Sequence, residues 1–185
     1  MEKRFKTHFY QVSGINLESE ITLPDLVKKE SGAGDVKISY GKITDLRLKN
    51  IFGNAEALQR RGFQIRVSEK AMFIDWEKLG KVLIQGGREV VVEPETGVLE
   101  EDLQPFLTGP VLSVILHQRG CLVLHASAVM INNRAAVFLG AKGYGKSTLA
   151  AHLQVRGHRL ISDDIVPVNF VEDRVLTVPS YPRIK

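Results

Sequence analysis

Gly140-Ala-Lys-Gly-Tyr-Gly-Lys-Ser-Thr148 decides how this chain is read. It fits G-x-x-x-x-G-K-[ST], a loop whose backbone amides cradle phosphate groups. An apolar run, Ala135-Ala-Val-Phe-Leu139, stands before it, and a helical pattern, Thr148-Leu-Ala-Ala-His-Leu-Gln-Val-Arg156, follows. Strand, glycine loop and helix are the setting this motif needs. Glycine lets successive N–H groups turn to one side, and the resulting nest attracts anions. The helix adds the positive end of its dipole. The pattern therefore assigns Gly140, Ala141, Lys142, Gly143, Tyr144, Gly145, Lys146, Ser147 and Thr148 to nucleotide binding. Lys146 would reach the outer phosphates and Ser147 would ligate magnesium.

Beyond the loop, Gly157 closes the helix and His158-Arg-Leu-Ile161 reads as a strand that delivers Asp163-Asp164 at its end. Asp164 lies eighteen residues past Lys146. In open α/β sheets, ligands bind beyond the carboxyl ends of the strands, so the loop and the acidic pair are expected on one rim. Magnesium takes hard oxygen ligands and keeps several waters, which suits a carboxylate beside phosphates. A second carboxylate would accept a proton from an attacking hydroxyl. Adjacent side chains of a strand point to opposite faces, so the two carboxylates are expected to differ in role. Upstream, His125 interrupts the apolar strand Leu122–Met130 beside the small residues Ala126 and Ser127. It reads either as a hydrogen-bonded core residue or as a functional one.

The bulk properties bound the rest. The chain has 185 residues, 44% hydrophobic and 25% charged, as soluble globular proteins do. One cysteine, Cys121, excludes an internal disulfide and suits a reducing, cytoplasmic setting. Cys121 itself reads as a small apolar residue. The first residues, Met1-Glu-Lys-Arg-Phe-Lys-Thr-His8, lack the apolar segment of a signal peptide. No apolar run approaches the ~20 residues of a membrane span. The formal charge of +4 is unevenly placed: from Arg134 onward there are eight Lys/Arg against four Asp/Glu. That excess suits an anionic ligand such as a nucleotide. The dense basic patch with interleaved aromatics that nucleic acid would need is absent from the sequence.

Residues 1–98 read as a small, mostly antiparallel β module and residues 99–185 as the nucleotide-binding core. Val36-Lys-Ile-Ser-Tyr40 alternates as a half-buried strand, and β-type runs recur at 63–67, 71–75, 81–84 and 89–93. Leu23-Pro-Asp-Leu-Val27 is read as a short helix start. From Glu100 the period becomes helical, with Leu103, Phe106, Leu107, Val111, Val114, Ile115 and Leu116 on one side. Gly109-Pro110 is expected to kink this helix, and Gly120 to end it. Residues 165–178 read as a hairpin.

His125-Ala-Ser-Ala-Val129, the glycine loop, and Arg156-Gly-His-Arg-Leu-Ile-Ser-Asp-Asp164 together resemble the catalytic core of HPr kinase/phosphorylase and its relatives. The resemblance covers about residues 121–185, with His125, Lys146 and Asp164 in the family's order and spacing. It implies an α/β fold with the P-loop kinase core shared by HPr kinases and phosphoenolpyruvate carboxykinases, preceded by the β module. It implies ATP as substrate, Mg²⁺ as cofactor and a serine-bearing acceptor: a protein, a peptide or a small molecule. Asp164 would be the base toward the serine hydroxyl, His125 would stand near the transferred phosphate, and Asp163 with Ser147 would serve the metal. The first 98 residues look more like the leader of shorter HPr kinase-like proteins than the N-terminal domain of the HPr enzymes. Lys142 stands where the family generally has serine, and Tyr144 is bulkier than usual. Family members also continue beyond the position of Tyr181-Pro-Arg-Ile-Lys185, into a magnesium-binding glutamate and a basic loop. The core is therefore expected to be incomplete here, as a fragment or a degenerate copy, with an exposed sheet edge.

Two functions remain open from the sequence: a serine kinase, and a non-catalytic nucleotide-binding module that regulates or pairs with another chain, including a further copy of itself. A GTPase or motor is disfavoured by the lack of an N-K-x-D guanine-reading motif.

Overall fold

A computed structural model describes residues 6–53, 56–60 and 62–180. The readings made on Met1–Phe5 and on Tyr181–Lys185 lie outside them. The first half supplies nine strands: β1 (His8–Val12), β2 (Ile15–Ser19), β3 (Val27–Lys29), β4 (Val36–Tyr40), β5 (Leu58–Arg60), β6 (Phe63–Val67), β7 (Ala71–Trp76), β8 (Gly80–Gln85) and β9 (Glu89–Pro94). They form one sheet in the order β3-β1-β2-β4-β9-β8-β7-β6-β5. The pairs β2/β4 and β4/β9 are parallel, so the sheet is larger and more mixed than the small antiparallel module expected. Leu23–Val27 is not a helix start: the Leu26 amide bonds the Leu23 carbonyl in a turn that leads into β3. Pro24 supplies no amide hydrogen, and the preceding residue is biased to extended backbone.

The central strands β8 and β9 are apolar at successive positions because both faces are covered. Val82, Ile84, Val90 and Val92 point into the main core, whereas Leu83 and Val91 point into a second cluster with Ala71 and Phe73. That second face is closed by Leu48 and Phe52 of α1 (Asp45–Phe52). Thr44 caps α1 by accepting the Arg47 amide at 3.2 Å.

The main core is completed by α2 (Glu100–Phe106), a π-helical turn at Leu107–Val111, and α3 (Leu112–Gln118). Pro110 cannot continue the helical ladder, and the wider turn absorbs it. Thr108 Oγ1 and Ser113 Oγ donate to the carbonyls of Gln104 and Gly109, satisfying acceptors near the break. Leu103, Phe106, Leu107, Val111, Leu112, Ile115 and Leu116 are all buried against the nine-stranded sheet. Each such side chain stabilises the packing by about 1.5–3 kcal/mol. Trp76 and Phe106 meet edge to face at 4.7 Å. The Glu100 carboxylate ties α2 to the sheet, accepting from the Thr22 amide and hydroxyl and from Tyr40 Oη. The core thus runs across residues 98 and 99, with the helix on the first sheet.

The remaining strands make two small sheets. Leu122–Met130, read as one strand, breaks at His125. β10 (Leu122–Leu124) pairs with β14 (Val166–Val171), which forms the expected hairpin with β15 (Arg174–Thr177). β11 (Ala126–Ile131) lies between β12 (Arg134–Leu139) and β13 (Arg159–Asp163), antiparallel to both. β12 and β13 therefore run the same way, and their carboxyl ends meet the start of β11 on one rim. Between them comes α4 (Lys146–Val155), whose buried residue is Ala150. The architecture is α/β with mixed sheets. No helix among the described residues is long and apolar enough to cross a membrane.

Candidate functional site

The rim where β12 and β13 end and β11 begins gathers the residues that the sequence singled out. A cleft of about 400 Å³ is lined by His125, Ser127, Lys142, Gly143, Gly145, Lys146, Ser147, Thr148, Asp163 and Asp164. The glycine loop takes its shape from Gly143 and Gly145, whose φ values of 89° and 77° lie in the left-handed region that side chains disfavour. Gly145 is also the N-cap of α4. The first-turn amides of α4 have no intrahelical carbonyl partners, and with the helix dipole they make this end attractive to an anion.

Lys146 reaches back over the loop. Its Nζ donates to the carbonyls of Gly140 (2.9 Å) and Ala141 (3.2 Å), holding the ammonium above the nest. Gly140 and Ala141 thus contribute carbonyls to Lys146 and do not line the cleft. Tyr144 does not line it either; its side chain is 80% exposed.

The acidic pair divides by environment. Asp163 ends β13 and is buried at 6% exposure, where Ser127 Oγ donates to its Oδ1 at 2.5 Å. Ser127 and Asp163 face each other in the β11/β13 register, with Ser127 fully buried. Asp164 lies just past the strand, half-exposed, with φ at 77°. This left-handed residue is clamped on both sides. Ser162 Oγ donates to the Ile165 carbonyl, and the Ile165 side chain is buried in the main core. The two carboxylates differ in environment, through burial and a change of backbone hand rather than simple strand alternation.

His125 sits at the break between β10 and β11. Its Nδ1 is 3.0 Å from Asp164 Oδ1 and 3.1 Å from the Asp164 carbonyl oxygen. Both neighbours are acceptors, so Nδ1 carries the proton, and in the neutral ring Nε2 is left as an acceptor. The histidine is an exposed rim residue, not a core one.

Oxygen donors fit a magnesium ion here: the Ser147 hydroxyl and the Asp163 carboxylate line the same cleft as the loop, and carboxylate, hydroxyl and water are the ligands this hard cation takes. Among the described residues, no cluster of three or more His, Cys, Asp or Glu could hold a metal ion. Ser127 is the site residue whose part the sequence reading missed. A hydroxyl beside two alanines was the available signal, but its partner is 36 residues away and is found only through strand register. Cys121 donates through Sγ to Asn169 Oδ1 at 3.1 Å, and burial pushes its thiol up, as fits a packed rather than a reactive cysteine.

No family model matches the chain. Among curated proteins it is similar to the HPr kinase/phosphorylase of Peptoclostridium acidaminophilum, 28% identical over 102 residues, covering 54% of this chain and 28% of that protein. The HPr kinase/phosphorylase of Lachnoclostridium phytofermentans is 37% identical over 62 residues, covering 32% of this chain and 20% of that protein. That of Lactobacillus acidophilus is 43% identical over 61 residues, covering 33% and 19%. The chain thus spans between 19% and 28% of the length of these relatives. The relationship is HPr kinase-like over part of the chain.

Proposed function

We propose that this HPr kinase-like chain transfers the γ-phosphate of Mg-ATP to a serine hydroxyl. One observation carries the reading: a glycine loop with its lysine, a buried carboxylate and an exposed carboxylate–histidine pair share one cleft. Phosphoryl transfer asks the protein mainly for positioning and charge neutralisation, and these residues supply both.

The loop amides and the start of α4 would hold the phosphates, and Lys146 would leave its carbonyl partners for the outer phosphate oxygens. Ser147 and Asp163 would hold magnesium, which when bound neutralises charge on the phosphate oxygens. Ser127 fixes the Asp163 carboxylate. Asp164 would accept the serine Oγ proton as Oγ bonds to the γ-phosphorus and the bond to the bridging oxygen breaks, leaving ADP. His125 holds Asp164 through Nδ1, and with both ring nitrogens protonated it would donate Nε2–H to the transferred group. The names of the relatives support this kinase class, and the lone cysteine supports a reducing, cytoplasmic setting.

Asp164→Asn tests the reading against a module that only binds nucleotide. The substitution should leave Mg-ATP affinity by calorimetry within about threefold and lower phosphate transfer to serine acceptors by roughly 10²–10⁴-fold, the usual worth of a general base. A wild-type protein that binds Mg-ATP yet phosphorylates no serine-bearing acceptor would leave nucleotide binding as its function.

A further inference from the structure

The His125–Asp164 pair borders a second cavity. It measures about 790 Å³, includes both residues and takes none from the glycine loop. Its walls come from the turn between β6 and β7, the kinked stretch Gly109–Gln118 and strand β10. Met72, Pro110, Val114, Leu122 and Leu124 make the lining largely apolar, and its other charged or titratable groups are Glu69 and His117. Gly109 lines this space, and a Cβ added there would meet no atom within 4 Å. The size lies within the range of ligand sites, about 300–1,000 Å³.

Two reactants have to meet in this reaction. The phosphates belong to the cleft with the amide nest, and the attacking hydroxyl has to come in line from the side opposite the leaving group. The residues common to both cavities are the proposed base and its histidine. A hydroxyl standing at Asp164 would therefore have the rest of its molecule in the apolar chamber.

Strand β10 says what kind of molecule. Among the described residues it is an end strand of its three-stranded sheet, paired on one side with β14. An end strand carries backbone N–H and C=O groups that an extended segment can pair with. The residue after β10 is His125, so a segment laid along β10 runs to the catalytic pair. Resting on the kinase reading, we infer that the chamber is the acceptor subsite and that it takes an extended peptide whose serine is flanked by bulky apolar side chains.

The test is peptide binding without nucleotide, followed by fluorescence anisotropy. The probes are labelled heptapeptides with a central serine flanked by leucine, glycine or aspartate. Mg-ATP binding is titrated separately. The leucine-flanked peptide should bind at least tenfold tighter than the glycine-flanked one, and the aspartate-flanked one weakest. Ser113→Phe, which fills the chamber, and Leu122→Glu, which charges its wall at a residue 47% exposed, should each weaken the leucine peptide at least tenfold with Mg-ATP affinity unchanged. Should Ser113→Phe fail to fold, Leu122→Glu carries the test. Equal binding of all three peptides, or wild-type peptide affinity in the folded variants, overturns the assignment. So does a medium-chain aliphatic alcohol that occupies the chamber when no peptide does. Absence of Mg-ATP binding to the wild type overturns the kinase reading instead, and the peptide titration reads independently of it.

Discussion

Ser127 Oγ stands 2.5 Å from Asp163 Oδ1, across the β11/β13 register and away from water. A buried carboxylate needs such a donor, because leaving it unsatisfied costs its desolvation. Ser127→Ala should lower unfolding stability by about 1.5–3 kcal/mol, the worth of a hydrogen bond to a charged group. Because Asp163 is also proposed to hold the metal, the magnesium concentration needed for half-maximal ATP binding should rise. Urea denaturation and a magnesium titration check both. A variant with wild-type stability and magnesium response would mean that the bond positions nothing.

Asp164 carries a left-handed backbone that glycine would adopt freely. Aspartate tolerates this conformation better than most residues, so relief through Asp164→Gly is about 0.5–1 kcal/mol. The exposed contact with His125 lost with it is worth little. The variant should melt about 1–4 °C higher and transfer no phosphate, trading function for stability at one position. Calorimetric melting beside an activity assay decides; a lower melting temperature would mean the turn is not strained.

The two nitrogens of His125 separate by substitution. Asparagine can donate in place of Nδ1 and has nothing in place of Nε2. His125→Asn should keep wild-type stability yet turn over as slowly as His125→Ala, a loss of roughly 10²–10⁴-fold. Recovery of the rate in His125→Asn would instead confine the histidine to holding Asp164.

The junction at Glu100 makes stability depend on pH at both ends. Burial pushes the Glu100 carboxyl up, but hydrogen bonds from Thr22 and Tyr40 outweigh it, and its pKa is below the ordinary value. A depressed carboxyl stabilises the fold above its unfolded pKa, near 4.3, and this contribution fades as pH falls through the folded value. Burial and the bond to Glu100 push the Tyr40 hydroxyl up to about 12. A raised phenol stabilises the fold below its unfolded pKa, near 10, and that contribution is lost as pH rises toward the folded value. The contribution of this junction to the urea midpoint should therefore be flat between these limits and fall on either side. Glu100→Gln should flatten the acid arm and Tyr40→Phe the alkaline one; unchanged arms in both variants would put the titrating groups elsewhere.

Much of the site was legible in the sequence because its signals are local. The glycine loop, the strand before it, the helix after it and Asp163-Asp164 at a strand end all depend on short-range spacing. So do the helix from Glu100, its kink at Gly109-Pro110 and the strands of the first half with clear alternation or apolar runs. What escaped is what local pattern does not encode. Helix α1 is only eight residues long, too short for the spacing of Leu48, Ile51 and Phe52 to announce it, and is held by Leu48 and Phe52 against strands up to 43 residues later in the chain. Leu122–Met130 reads as one strand, and only pairing with two different partners breaks it at His125.

The sequence by itself determined which groups are present and which ones lie on a common loop, strand or helix. Tertiary structure decided which ones meet. Strand register buried Asp163 under Ser127, and the main core drew in Ile165 and so turned Asp164 outward. The same core seated the kinked helix across from β10, making the chamber beside the His125–Asp164 pair. Those outcomes are set by which long-range apolar contacts win the most burial, and no local spacing specifies that.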